Sequence, residues 1–416
     1  MTALTRRSFF RAAGLAGLAL PGWFPRLAFS AAPSPKRDVL VAVFLRGAAD
    51  GINIVVPFGD RDYFANRPTL RIQEPSATAG SGIDLDGFFG LHPALAPLKE
   101  LYDDKALAAV HAAGSPDDTH SHFTAMDFME RGTPGSKSLT TGWIGRHLST
   151  LATGNDSPFR AVGIGHGVPA SLRGPVPATA LKSIADFHLK GLRSASELAS
   201  FQAGLSNLYP GGDFLDGQAR QTFDAVALLA GANPGTYQPQ NGAQYPDSDF
   251  GQALQQVAQL VRADLGLEVA CIDVGGWDTH AAEGGATGTL ANLLGDLGAG
   301  LHAFYADLAD RMAHITVVTM SEFGRRVKEN ASGGTDHGHG NCMFLLGGGV
   351  AGGKVYGNWP GLAAGQLYGP GDLAVTTDFR TVLSEIVDHR LGNSKVAEVF
   401  PGFERPAYLG VARQAV

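Results

Sequence analysis

The residues best suited to chemistry in this chain are acids and histidines set in glycine-rich turns. Thr335-Asp336-His337-Gly338-His339-Gly340 is the densest cluster, and Gly276-Trp277-Asp278-Thr279-His280 is a second. Carboxylate oxygens and neutral imidazole nitrogens are the usual ligands of zinc, manganese and related divalent ions. Glycines let the backbone turn sharply, so several side chains can converge on one point. In an extended loop, residues two apart point the same way, so Asp278 and His280 can grip one ion. Glu322, in Ser321-Glu322-Phe323-Gly324-Arg325, suits a ligand or a general base. Asp50 precedes Gly51 and suits either a ligand or an Asx turn. The pattern predicts a site for a divalent ion (zinc, manganese or calcium) drawing on Asp50, Asp278, His280, Asp336, His337 and His339.

Ser121 opens an expected helix. Serine there is a good N-cap, and the same position suits a nucleophile, because a helix N-terminus stabilises negative charge. His120 and His122 flank it; one of them can orient a ligand, although exposed histidines at helix ends are common. Arg46 and Arg325 can hold an anionic group bidentately or pair with acids such as Glu322. His92, His111, His147 and the remaining histidines read as structural or surface residues. The glycines from Gly347 to Gly353 lack the strand–turn–helix spacing of a dinucleotide fingerprint, and no haem or cluster-type cysteine motif supports an oxidoreductase.

These residues need elements to position them. Val39 to Leu45 is a continuous apolar run that reads as a central, buried parallel strand. Leu107 to His111, Leu267 to Asp273, Ile315 to Met320 and Cys342 to Leu346 read as further strands. Helices are expected over Pro93–Tyr102, Ser121–Glu130, Trp143–Thr150, Phe250–Leu265, Leu290–Met312 and Asp378–Leu391. This alternation predicts an α/β fold: a mostly parallel central sheet with helices on both faces. Right-handed crossovers put the carboxyl ends of the strands along one rim, where the turns above would meet. Residues 165 to 250 interrupt the pattern with proline-rich turns and helices over Ser194–Leu205 and Asp216–Leu229, and read as a helical and loop cap inserted into a single domain of residues 31–416.

Thr5-Arg6-Arg7-Ser8-Phe9-Phe10-Arg11, followed by a short apolar run, has the form of a twin-arginine export signal covering residues 1–30. It predicts passage through the twin-arginine translocation machinery to the periplasm or beyond, with no stable membrane anchor. Removing it takes away four arginines and no acids, so the formal charge of −7 becomes −11. An acidic surface argues against nucleic acid as a partner. Cys271 and Cys342, the only two cysteines, lie in apolar runs and suit either a disulfide or two buried free thiols.

Phe44-Leu45-Arg46-Gly47-Ala48-Ala49-Asp50-Gly51, Ser121-His122-Phe123, Gly276 to His280, Ser321 to Arg325 and Gly334 to Gly340 together resemble the twin-arginine-exported family catalogued as domain of unknown function 1501. That family is similar to the alkaline phosphatase and sulfatase superfamily, whose members carry an acid after strand one, a nucleophile at a helix start, an Asp-and-His pair, a strand-end Asp-His and a late His. The resemblance implies an alkaline-phosphatase-like fold. By order, it gives those places to Asp50, Ser121, Asp278 with His280, and His337 or His339. It departs at Glu322-Phe323, where the superfamily has Asp-His. The implied activity is metal-dependent hydrolysis of a small anionic phosphate or sulfate ester, and the alternative is a non-catalytic exported binding or envelope-assembly protein.

Overall fold

A computed structural model describes residues 38–165, 167–184 and 237–415, together with residues 204, 222, 225, 226, 228 and 229. The segment read as an export signal (1–30), and nearly all of the helices expected at 194–205 and 216–229, lie outside the described residues.

Among the described residues, nine strands form the main sheet. In chain order they are β1 (Val39–Leu45), β2 (Leu107–Gly114), β3 (Ala161–Ile164), β4 (Thr179–Leu181), β5 (Val269–Val274), β6 (Ile315–Met320), β7 (Asn341–Leu346), β8 (Val355–Tyr356) and β9 (Thr377–Asp378). Their spatial order is β8-β2-β7-β6-β1-β5-β3-β4, with β9 also pairing β2. β1 lies parallel to β5 and β6, and β3 parallel to β4 and β5. Among the described strands of this sheet only β7 is reversed, antiparallel to both β2 and β6. The sheet is thus α/β and mostly parallel, as the apolar runs predict.

Every residue of β1 is buried. Side chains alternate across a strand, so Val39, Val41, Val43 and Leu45 enter one core while Leu40, Ala42 and Phe44 enter the other. The longer helices among the described residues are α1 (Pro97–Asp103), α2 (His122–Arg131), α3 (Trp143–Thr150), α4 (Asp249–Arg262), α5 (Thr289–Asp307) and α6 (Phe379–Glu385). Leu98, Leu254 and Leu297 place α1, α4 and α5 on the first face; Met129, Trp143 and Val382 place α2, α3 and α6 on the second. No helix among the described residues is long and apolar enough to cross a membrane.

β4 falls inside the span assigned to a cap, yet its three residues extend the main sheet beside β3. The cysteines do not pair: Cys271 and Cys342 are free and buried, and burial raises both thiols. A thiol reagent should label neither cysteine in the native protein and both after denaturation. Prompt labelling of native protein, read by mass spectrometry, would contradict this burial.

Candidate metal centre

Five segments meet at one rim of the sheet: residues 46–51 after β1, 115–122 after β2, 275–283 after β5, 321–325 after β6, and 335–340 leading into β7. The reversed β7 starts at this rim, so the loop before it joins the loops that follow the parallel strands. Two glycines allow the loops to touch. Gly47 has φ 121°, and a Cβ there would stand 2.6 Å from the Asp278 amide nitrogen. A Cβ at Gly338 would collide with the backbone of Arg325.

Fully buried Arg325 ties these loops together. Its guanidinium donates to the carbonyl oxygens of Ala48 at 2.7 Å, Gly47 at 2.6 Å, Trp277 at 3.0 Å and Thr335 at 3.0 Å. It also donates to Asp278 Oδ1 at 2.5 Å. Arg325 is therefore a strut between loops that also pairs with an acid, Asp278. Desolvation would raise the Asp278 carboxyl, but the hydrogen bond and charge of Arg325 hold it below the usual carboxylate range.

Around Asp278 the side chains converge. His280 Nε2 is 3.2 Å and His337 Nε2 3.3 Å from Asp278 Oδ1, and His122 Nε2 is 3.5 Å from Oδ2. His280 Nε2 and His337 Nε2 are 2.9 Å apart. Donor atoms of His122, Asp278 and His337 all lie within 4.8 Å of one another. Asp278 and His280 remain about half exposed, so the cluster opens to solvent.

The outer nitrogens fix the rings. His122 Nδ1 lies 2.8 Å from Glu322 Oε1. An ionised carboxylate only accepts, so His122 Nδ1 carries the proton and Nε2 offers its lone pair. That Nε2 is buried and has no hydrogen-bond partner. His337 Nδ1 donates to the His120 carbonyl oxygen at 2.9 Å, which again turns Nε2 inward. Burial, then the neighbouring charges of His122 and Arg325, lower the His337 pKa and favour the neutral ring. A carboxylate or carbonyl behind a ligating imidazole is the usual outer support of a metal ligand. These donors fit a divalent ion.

Several expected ligands serve other ends. Asp50 is fully buried and both its oxygens are taken by Arg67, at 2.5 and 3.0 Å. Glu322 is engaged behind the cluster: Oε1 accepts from the Gly47 amide at 2.9 Å as well as from His122, and Oε2 from Ser321 Oγ at 3.1 Å. Asp336 accepts from Asn330 at 3.0 Å and stands 3.6 Å from His280 Nδ1, behind the ring rather than at the cluster. His339 turns away and stacks on Tyr368, with ring centroids 4.8 Å apart. Arg46 pairs with Asp273 at 2.8 Å and Glu130 at 3.3 Å and lies over the Phe44 ring. Ser121 is at the N-cap of α2, exposed, and makes no side-chain capping bond. Phe323 packs against both His122 and His337, with ring centroids 5.0 Å apart in each case. The ligand candidates brought together are thus Asp278, His280 and His337, joined by His122, which the sequence suggests either as a residue orienting a ligand or as an ordinary helix-end histidine.

Residues 105–393 match the family described as protein of unknown function (DUF1501). The chain belongs to this family. The DUF1501 match spans β2 through α6, and so includes every donor of the cluster. No match to a curated protein was found. Among solved structures, the chain is similar to a lipoteichoic acid synthase from Listeria monocytogenes, with 8% identity over 91% of this chain and 75% of that one, TM-score 0.34. A sulfatase from Pseudoalteromonas sp. gives 10% identity over 91% and 74%, TM-score 0.34. Alkaline phosphatase from the Antarctic bacterium TAB5 gives 11% over 76% and 92%, TM-score 0.28. Likenesses of this size transfer no residue role to this DUF1501 chain.

Proposed function

We propose that this protein is an exported, metal-dependent hydrolase of phosphate or sulfate esters, with one divalent ion held by His122, Asp278, His280 and His337. The observation that supports it most is the buried, unpartnered His122 Nε2 aimed at Asp278 while Glu322 holds the opposite nitrogen. Three imidazoles and one carboxylate suit zinc better than calcium, which takes six to eight oxygens. An ion bound there would supply Lewis acidity, polarising an ester oxygen and lowering the pKa of an attacking hydroxyl.

The chain's own residues supply the rest. Ser121 Oγ is the proposed nucleophile, at the start of a ten-residue helix whose free amides and dipole favour developing negative charge. Arg325 keeps Asp278 ionised, Glu322 and the His120 carbonyl hold two rings in orientation, and Phe323 keeps water from their backs. Phe323 also favours one ion over two, because it stands where a second imidazole would be needed. The ester class rests on the motif order that resembles phosphatases and sulfatases, and export rests on the twin-arginine pattern at Arg6 and Arg7.

The test is elemental analysis of protein expressed with its signal, alongside hydrolysis of aryl phosphate and aryl sulfate esters. Wild type should retain about one equivalent of metal and His337→Ala should lose it. Ser121→Ala should keep the metal and lose turnover. Turnover surviving in Ser121→Ala but not in His337→Ala would make water the nucleophile. Wild type without metal, even after incubation with zinc, manganese and calcium, would sink the proposal.

A further inference from the structure

Asp372 has no role in the reading above, yet it is among the least comfortable acids in the fold. Its side chain is 1% exposed, and neither carboxylate oxygen receives a hydrogen bond from the protein. Two other fully buried acids are satisfied: Asp307 accepts from Tyr237, Tyr245 and the Gln240 amide, and Glu385 from the amides of Leu409, Gly410 and Ala412. Asp372 faces only charged or chargeable nitrogens: His120 Nε2 is 3.2 Å from Oδ2, and Arg326 Nε is 3.5 Å from Oδ1. Neither contact has the alignment of a hydrogen bond. A buried carboxylate in such surroundings is unfavourable for stability alone, and calls for another explanation.

Its neighbours suggest one. Asp372 closes a turn with Tyr368, their backbones exchanging two bonds of 2.9 Å. The same turn is docked on the metal-centre loops: Gly340 donates to the Leu373 carbonyl at 2.8 Å and Val327 to that of Gly371 at 3.1 Å. The His120 ring reaches down to Asp372, while the His120 carbonyl accepts the Nδ1 proton of His337. His120 also lies two residues before His122, so fixing it fixes the start of α2.

We infer that Asp372 is a positioning residue, acting through His120 to set the orientation of two metal-facing imidazoles, His337 and His122. This rests on the metal-centre reading. It adds a layer behind the donors: the carboxylate holds the His120 ring, the His120 carbonyl holds one donor ring, and the following peptide carries the other. Loss of the Asp372 charge frees the His120 ring, and the carbonyl swings away from His337 Nδ1.

The experiment compares full-length wild type with Asp372→Asn, Asp372→Glu and a surface control, Asp264→Asn, which removes only an exposed pairing with Arg311. Three quantities are read: affinity for zinc and cobalt by chelator competition, the nitrogen-15 imidazole signals of His337 without metal, and thermal stability. Asp372→Asn should weaken metal binding by about 10–100-fold, the usual range for an outer-support change. It should also alter the cobalt absorption spectrum, and give His337 a mixture of ring tautomers. Asp372→Glu should recover part of the affinity, and Asp264→Asn should match wild type. Wild-type affinity with a single His337 tautomer in Asp372→Asn overturns the inference. So does a loss of affinity that merely tracks the unfolded fraction. If wild type binds no ion, the metal-centre reading fails by itself, and the tautomer of His337 still decides whether Asp372 positions it.

Discussion

His122→Ala protein is expected to purify without the ion that wild type retains, and to lose ester hydrolysis with it. The expectation follows from the direction of the ring. With its proton held at Nδ1 by Glu322, His122 presents to the cluster only a lone pair at Nε2, and the folded protein gives that nitrogen no hydrogen bond. The loss of affinity should exceed the roughly 100-fold upper range seen when only an outer support is removed. Glu322→Gln tests the support separately: the amide oxygen can still accept from Nδ1 but carries no charge, and affinity should fall by about 10–100-fold. Titration with zinc, with the fold monitored by circular dichroism, checks both. A folded His122→Ala variant binding zinc as tightly as wild type would remove this histidine from the ligand set.

The second large effect concerns stability. Asp50, Arg67 and Glu283 are all fully buried. Arg67 grips Asp50 and donates to the carbonyls of Val327 at 2.6 Å and Arg326 at 2.9 Å. Arg67→Met should destabilise by about 3–5 kcal/mol, the usual result of leaving one member of a buried ion pair alone. One arginine can neutralise only one of the two acids. Burial, then the charge of Asp50, push the Glu283 carboxyl from its ordinary 4.5 up to about 9. Glu283 is therefore the protonated member, while Asp50 stays ionised: desolvation opposes this, but Arg67 outweighs it and holds Asp50 below its ordinary range. The folded state thus keeps a proton that the unfolded chain releases above pH 4.5. Stability from Glu283 is full below that pH and is lost as pH rises towards about 9. The Asp50 contribution has the opposite sign and is lost in acid, as pH falls through its lowered value. Glu283→Gln retains a donor towards Asp50 and should remove the alkaline decline. Urea midpoints measured from about pH 5 to 9 for both proteins check this, and parallel curves would refute a protonated Glu283.

The main strands were legible because burial on both sheet faces leaves continuous apolar runs. Val39–Leu45 and Ile315–Met320 are bounded as expected, and so is the helix Trp143–Thr150. The reversal of β7 was not legible, since side-chain alternation reads the same in both directions. β3 and β4 are only four and three residues long, too short to stand out among the surrounding turns. Within the site, Asp278, His280 and His337 could be found because ligand-type residues follow strand ends. Asp50 could not be assigned, because the arginine that occupies it lies 17 residues further on in a different segment. His339 shares the spacing that made Asp278 and His280 a pair, but an aromatic partner, Tyr368, takes its ring. His122 was visible as a histidine at a helix start able to orient a ligand, and its place among the donors depends on Glu322, 200 residues away.

The reversed strand also shapes how the centre can assemble during folding. β6 leaves the sheet at the rim and β7 returns from it, so residues 321–340 form a hairpin connection rather than a crossover. Glu322, Arg325, Asp336 and His337 can come together by closing this one short loop. His122 and Asp278 reach the same point only after segments far apart in the chain have docked, and the entropy of closing long loops makes such contacts late. One donor of the four, His337, is thus local and three are long-range, and the ion-binding point is complete only when the distant strands have joined the sheet.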